Sequence, residues 1–310
     1  MENNIMENSF LIIDGDSFIH RAYHGYKNDR FSTEKNFLIK GFMTMITKEI
    51  NERKPEYLAI VLDFQGDSFR KEIYPEYKAN RPPKTKEFLR QVEEIHTYVK
   101  ASGLPYFCEK GVEGDDVIGY LAKKAQLKKW KTTILTGDKD IAQIIDENTR
   151  LVDTRFKREI NIKNLNESFG VNKPEEIIDL LALQGDKADN ILGLEGCGEK
   201  TALKIINDFG SIKNLIEAPA ENIYSSIRKT ARSETKTQKI IQQVKETPEV
   251  LLLSKTLTTL KTDFEMNLSI SDIKPKAVRF KKEKIIEINT LNNLNYKYVL
   301  PKVSIDFFFV

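Results

Sequence analysis

Cysteine and histidine are scarce in this chain of 310 residues: Cys108 and Cys197, with His20, His24 and His96, are all there are. Two cysteines and three dispersed histidines cannot build a spaced Cys/His zinc site or a disulfide framework, so they read as packing residues. No run of eighteen apolar residues occurs, which excludes a membrane-spanning helix. The opening MENNIMENSF holds no arginine and no basic segment ahead of an apolar one. Neither a secretory signal nor a transit peptide is expected, and the cytoplasm is the default compartment. Internal repeats and low-complexity linkers are missing as well. With 40% hydrophobic and 31% charged residues, the chain has the balance expected of a soluble protein, long enough for one large domain or two smaller ones. The formal net charge of +3 is only mildly basic, so the distribution of charge matters more than its sum.

What is there begins with Gly111 to Gly119, GVEGDDVIG, which places Glu113, Asp115 and Asp116 within four residues at the start of a helix. Three carboxylates that close stay ionised together in a cleft only beside a positive partner, and nothing basic lies in the stretch. A divalent cation held by oxygen ligands, Mg²⁺ or Mn²⁺ rather than zinc, meets that need. The alternative is that acidic residues simply complement the dipole of a first helical turn. Other carboxylates converging on the same place would decide between them.

Phe10 to Asp14, FLIID, is an apolar run ending in aspartate, as for a buried strand that delivers a polar residue at its carboxyl end, and Tyr57 to Asp63, YLAIVLD, repeats the arrangement. Helical spacing between them, over residues 36–51, makes a βαβ unit. Residues 104–108 read as a strand, 115–127 as a helix, and 132–135 as a strand leading into Gly137, Asp138 and Asp140. This alternation predicts an α/β fold with a parallel sheet wrapped on both faces. Ligands of such sheets sit beyond the carboxyl ends of the strands, where Asp14, Asp63, Asp138 and Asp140 all fall. The convergence is present in the pattern.

Residues 64–100 interrupt the alternation with a basic, aromatic insertion. From Arg70 to Lys86 there are six basic residues against Glu72 and Glu76, with Tyr74 and Tyr77 interleaved. Basic groups neutralise phosphates and aromatic faces stack on bases, so this composition suits a loop that holds single-stranded nucleic acid; a solvated helix hairpin turning at Pro82-Pro83 is the plainer reading. Residues 174–209 read helix, hairpin, helix. With Lys200-Thr201 in place, the phosphate-loop template fails because Glu199 stands where glycine is required. Gly193, Gly196 and Gly198 ahead of a helix N-terminus instead leave N–H groups free for a phosphodiester, with Lys200 and Lys204 adding charge. Arg228, Lys229 and Arg232 extend that track or face solvent. The Lys281-Lys282-Glu283-Lys284 run reads as a solvated surface, and 306–310 as a last strand or a packed tail.

Taken together, LIIDGDSFIHRAYH, VLDFQGDSFR, YPEYKANRPP, GVEGDDVIGYLAKKA, ILTGDKDIAQ and GDKADNILGLEGCGEKTA resemble the 5′ nuclease family, in particular the 5′-3′ exonuclease domains at the front of bacterial DNA polymerases I. The resemblance covers about residues 10–260. It implies a PIN-like parallel-sheet core over 10–170, a helical arch from the 64–100 insertion, and a helix-three-turn-helix subdomain over 171–260 that grips duplex DNA, often around a monovalent cation such as K⁺. Residues 261–310 form an extension of unknown role. The implied metal ligands are Asp14, Asp63, Glu113, Asp115, Asp116, Asp138, Asp140, Asp186 and Asp189. The implied phosphate contacts are Arg21, Arg70, Lys78 and Arg81, with Tyr77 stacking and with Gly193, Gly196, Gly198, Lys200, Thr201 and Lys204 on the duplex; Arg70, Tyr77, Lys78 and Arg81 are the implied catalytic groups. Asp16 and Gly137 depart from the family's pattern. The implied activity is Mg²⁺-dependent cleavage of 5′ ends and flaps of DNA, with Mn²⁺ substituting, in removal of RNA primers and in repair beside a polymerase and a ligase. A monomer suffices.

Three other readings are weighed against it. Asp14-Gly15-Asp16 and Gly185 to Asp189 also fit the haloacid-dehalogenase phosphatases, but 174–183 reads as a helix where that family needs a strand. A PIN-like ribonuclease has a similar acidic site without the 174–209 segment. A catalytically silent DNA-structure binding module gains nothing from so many negative charges facing phosphate.

Overall fold

Phe10, Leu11, Ile12 and Ile13 are each at most 2% exposed, so both faces of the strand that carries them are covered. That strand, β1 (Met6–Asp14), is central in the computed structural model, which describes residues 6–26, 37–231 and 233–274. Phe10 and Ile12 face one hydrophobic layer and Leu11 and Ile13 the other, the alternation that a pleated strand imposes. Helix α1 (Gly15–Tyr26) and α2 (Phe37–Arg53) lead to β2 (Pro55–Val61), which pairs with β1 in parallel. A short α3 (Phe69–Ile73) and α4 (Lys86–Ser102) precede β3 (Tyr106–Phe107) at the sheet edge. Helix α5 (Gly114–Leu127) then carries the chain to the opposite side of β1, where β4 (Lys131–Leu135) pairs in parallel. A 3-10 turn at Asp140–Ile144 follows, then β5 (Thr149–Asp153), parallel to β4, and β6 (Arg158–Ile160), antiparallel to β5.

The strand order is therefore β3-β2-β1-β4-β5-β6, with the direction of winding reversing at β1 and β4. A crevice opens at such a reversal beyond the carboxyl ends of the strands.

The remaining helices are α6 (Leu165–Phe169), α7 (Glu175–Gln184), α8 (Glu199–Phe209), α9 (Ile212–Glu217), α10 (Ala220–Ile227), α11 (Glu234–Glu246), α12 (Pro248–Thr258) and α13 (Ile270–Ile273). Helices α7 and α8 flank the glycine hairpin as anticipated. Their buried Leu183, Ala202 and Ile206 join the same apolar cluster as Ile12 and Ile134 of the sheet, so the two lobes share one core.

Three expectations change. The insertion is shorter than 64–100, because α4 lies on the sheet. Phe88, Val92, Ile95 and Val99 form a buried stripe at helical spacing, Thr85 caps its start by accepting the Phe88 N–H at 3.2 Å, and Gly103 closes it at φ +77°. What stands over the crevice is the basic segment 74–81. Strands β5 and β6 were not anticipated. Past residue 260 the chain still packs: Tyr120 on α5 meets Phe264 at 5.0 Å between ring centroids, and Ile273 is 4% exposed. Arg232 and residues 275–310, including the 281–284 basic run and the 306–310 tail, lie outside the described residues.

Candidate metal centre and nucleic-acid interface

Asp14, the last residue of β1, is 7% exposed and accepts from the Thr136 hydroxyl at 2.6 Å and the Ser17 N–H at 3.0 Å. Burial raises its carboxyl to about 7 against those bonds, with Asp138 and Asp63 adding repulsion. Asp63, just past β2, accepts the Gly114 N–H at 2.5 Å; a Cβ on Gly114 would stand 2.8 Å from that same oxygen and would push the carboxylate aside. Asp115 in the first turn of α5 is raised well above its ordinary range by burial, then by Asp138, Asp14 and Asp63. Beyond β4, Asp138 accepts the Asp140 N–H at 2.8 Å and is raised by burial and by Asp189 and Asp186. Burial, Asp138 and Asp186 push Asp140 up to about 7. The carboxylates expected at the strand ends do gather, and the hairpin at 186–189 joins them.

Among the described residues no three His, Cys, Asp or Glu side chains are already grouped as the ligands of one ion. The fit to a metal rests instead on chemistry. The ionisation of Asp14, Asp115, Asp138 and Asp140 is in each case hindered by burial and by neighbouring carboxylates, so bringing in positive charge stabilises all of them. Every donor is a carboxylate oxygen, which suits Mg²⁺ or Mn²⁺.

Four residues do not stand where the resemblance put them. Asp116 is 0% exposed, and both of its oxygens are engaged. They accept the Arg70 guanidinium at 2.7 and 2.8 Å, the Glu113 N–H at 2.9 Å and the Lys261 N–H at 2.8 Å. No lone pair is turned to the crevice, so Asp116 ties backbone together. Arg70, 2% exposed, also donates to the carbonyls of Leu257 and Thr259, at 2.8 and 3.0 Å, and faces inward rather than toward phosphate. Tyr77 is 2% exposed, its ring packed with Ile191 and Leu257, which leaves no face for a base. Its hydroxyl instead lies 3.0 Å from Glu113 Oε2 and 3.1 Å from Asp189 Oδ2. Thr201, in the first turn of α8, is 2% exposed and has no surface to offer a duplex.

Lys78 does reach the crevice. Its ammonium lies 2.7 Å from Glu113 Oε1 and 3.7 Å from Asp189 Oδ2, spanning the two lobes. Its backbone holds φ +58° and donates to the Asp189 carbonyl at 2.9 Å, which fixes the turn. Arg81 pairs with Asp189, Asn80 donates to the Lys187 carbonyl at 2.6 Å, and Asn190 donates to the Glu76 carbonyl at 2.7 Å. The basic segment is thus stitched to the hairpin that carries Asp186 and Asp189. Arg21 donates to Thr154 at the end of β5.

The hairpin turns tightly on glycine. Gly185 and Gly196 have φ +69° and +89°, and a Cβ on Gly193 would lie 2.3 Å from the Gln184 carbonyl carbon. Gly198 caps α8 without a side chain, Lys200 is exposed beside it, and Lys204 is held by Asp208 at 2.7 Å. Sequence reasoning missed Asn80, Gln143 and Asn190, and left Asp16 without a role. Asp16 accepts the Asp63 N–H at 2.6 Å and so orients a candidate ligand. Gln143 is the polar exception in the apolar run 141–145, a signal that was there to be read.

Residues 9–170 match the family model described as 5′-3′ exonuclease, N-terminal resolvase-like domain, and residues 172–281 match 5′-3′ exonuclease, C-terminal SAM fold. The chain is 34% identical to a 5′-3′ exonuclease of Aquifex aeolicus over 96% of its own length and 95% of that protein's. It is 38% identical to DNA polymerase I of Pseudomonas aeruginosa over 86% of this chain, which spans 28% of that polymerase. Among solved structures, the T5 D15 protein co-crystallized with metal ions superposes with a TM-score of 0.67 at 23% identity, over 82% of this chain and 90% of that one. The catalytic core of Rad2 in complex with DNA substrate gives 0.51 at 16% identity, over 91% and 92%. At those identities the two likenesses are of fold. On its two matched models and its curated relatives, this chain belongs to the 5′-3′ exonuclease family of nucleases.

Proposed function

We propose that this chain is a divalent-metal-dependent nuclease that hydrolyses DNA phosphodiesters at 5′ ends and near the junction of a duplex with a 5′ single-stranded flap. The observation that carries the reading is the meeting of Asp14, Asp63, Glu113, Asp115, Asp138 and Asp140 with Asp186 and Asp189 of the second lobe, beneath Lys78 and Arg81. In this reading Asp14, Asp63, Glu113 and Asp115 hold one Mg²⁺, and Asp138, Asp140, Asp186 and Asp189 another. Bound there, Mg²⁺ supplies an ionised water and neutralises phosphate charge. Lys78 and Arg81 stabilise the charge that develops on the scissile phosphate, and no protein nucleophile is needed. The N–H groups of Gly196 and Gly198 and the Lys200 ammonium hold the duplex through its phosphates, without reading bases, and K⁺ is a candidate occupant of that hairpin. Primer removal and repair beside a polymerase and a ligase are the setting that such cleavage serves.

The test is a labelled 5′-flap DNA incubated with Mg²⁺, against EDTA and against Asp138→Asn. Junction cleavage lost in both controls, with flap affinity retained in the variant, is the expected result. Tight flap binding without cleavage in either Mg²⁺ or Mn²⁺ would make the protein a DNA-structure binding module.

A further inference from the structure

The carboxyl end of α12 and the turn after it, residues 257–261, lie directly behind the carboxylate crevice and are held by three buried polar side chains. Arg70 donates to the carbonyls of Leu257 and Thr259 at 2.8 and 3.0 Å, and Asp116 accepts the Lys261 N–H at 2.8 Å. Gln143, 8% exposed, closes the remaining gap: its amide donates to the Thr258 carbonyl at 3.0 Å and its carbonyl accepts the Leu260 N–H at 2.9 Å. Each holder is also fastened to one carboxylate set. Asp116 accepts the Glu113 N–H at 2.9 Å and directly follows Asp115, and Arg70 reaches Glu113 Oε2 at 3.3 Å. On the other side, Gln143 donates to the Asp140 carbonyl at 3.1 Å.

We infer that the 257–261 segment is a positioning strap that sets the spacing between the Glu113/Asp115 and Asp138/Asp140 carboxylate sets, with Arg70, Asp116 and Gln143 as positioning residues that touch neither metal nor DNA. The helical lobe thereby contributes to metal occupancy from behind the site, in addition to the Asp186/Asp189 hairpin in front of it. A buried Arg–carboxylate fork is a weak contribution to net stability but a directional one, and it is fitted to holding two backbone segments at one separation. The inference rests on the proposed nuclease reading.

Two variants test it. Arg70→Met/Asp116→Asn removes both charges and leaves neither one buried alone. Gln143→Leu releases the other side without touching a charge, and it decides alone if the double variant melts below the assay temperature. Single-turnover cleavage of the 5′-flap DNA is followed against Mg²⁺ concentration, and flap affinity is measured in EDTA against salt. Loss of an outer-shell support costs about 10–100-fold in metal affinity or activity. The expected result is a loss of at least about tenfold at low Mg²⁺, partly recovered at high Mg²⁺, with flap affinity and its salt slope unchanged. If wild type cuts and the variants match it in rate and Mg²⁺ dependence, the strap is overturned while the nuclease reading stands. A shallower salt slope for the double variant, by about 0.9, with unaltered Mg²⁺ dependence would return Arg70 to a phosphate. If wild type neither binds nor cuts the flap, it is the functional reading that fails.

Discussion

Tyr77 and Lys78 are neighbours in sequence, yet one is 2% exposed and the other lines the crevice. Tyr77→Phe keeps the ring packed against Ile191 and Leu257 and removes the hydroxyl between Glu113 and Asp189. Loss of a group that orients carboxylate ligands costs about 10–100-fold in metal affinity or activity, so single-turnover cleavage should slow about tenfold or more, with flap affinity unchanged. A ring that stacks on a base predicts the opposite, since phenylalanine stacks as well as tyrosine; full activity in Tyr77→Phe would restore that role. Lys78→Ala should cost on the order of a hundredfold in the same single-turnover rate, and an unaltered rate would remove Lys78 from the reaction. YPEYKANRPP marks both as nucleic-acid contacts, Lys78 for phosphate and Tyr77 for a base. Their opposite directions were not legible there, because burial of Tyr77 is set by Ile191 and Leu257, far along the chain.

The hairpin between α7 and α8 was legible as an element, because glycine spacing ahead of a helix start is a local signal. Which glycine matters is a question of packing. Gly193 crosses Gln184 and Gly185 so closely that an added Cβ would lie 2.3 and 2.4 Å from their backbone atoms, whereas nothing stands within 4 Å of a Cβ on Gly198. Gly193→Ala should destabilise the protein by about 1–3 kcal/mol or more through overpacking and weaken flap binding, measured by urea unfolding and by titration. Gly198→Ala should cost well under that, and equal losses would show that the close crossing is not what the hairpin needs. Helix α4 shows the reverse failure of local reading. Charged residues are interspersed through it and blur its pattern, while the stripe at Phe88, Val92, Ile95 and Val99 determines where it lies. Strands β5 and β6 escaped notice because charged residues such as Arg150, Asp153, Arg158 and Glu159 break up their short apolar patterns at the sheet edge.

At the scale of the whole molecule, one pH-dependent contribution to stability comes from His96 on α4, whose Nδ1 lies 2.7 Å from the Tyr106 hydroxyl on β3 and whose Nε2 is buried without a partner. Burial lowers its pKa below 6.5, with Asp63 and Glu93 opposing more weakly. The unfolded chain therefore takes up a proton near pH 6.5 that the folded protein refuses. The His96 contribution to stability is complete above that pH and is lost as pH drops from there toward the lowered folded value, by at most about 1.4 kcal/mol per pH unit for one proton, while the crevice carboxylates raised to about 7 act in the opposite sense. Relative to wild type, His96→Phe should gain stability as pH falls from 6.5 to 5 in urea unfolding, and a difference between the two proteins that does not change with pH would exclude His96 as a source. The sequence by itself determined the parallel sheet and its crevice, since apolar runs buried on both faces can carry a polar residue only at their ends, as at Asp14 and Asp63. Only the tertiary structure decided which carboxylates look into that crevice. Asp115 and Asp116 are adjacent in α5 and about a quarter turn apart, so one meets Asp14 and Asp138 while the other meets Arg70 and the turn after α12. The direction of each side chain follows from partners up to 189 residues away in sequence, such as Thr259 for Arg70, and local pattern does not encode them.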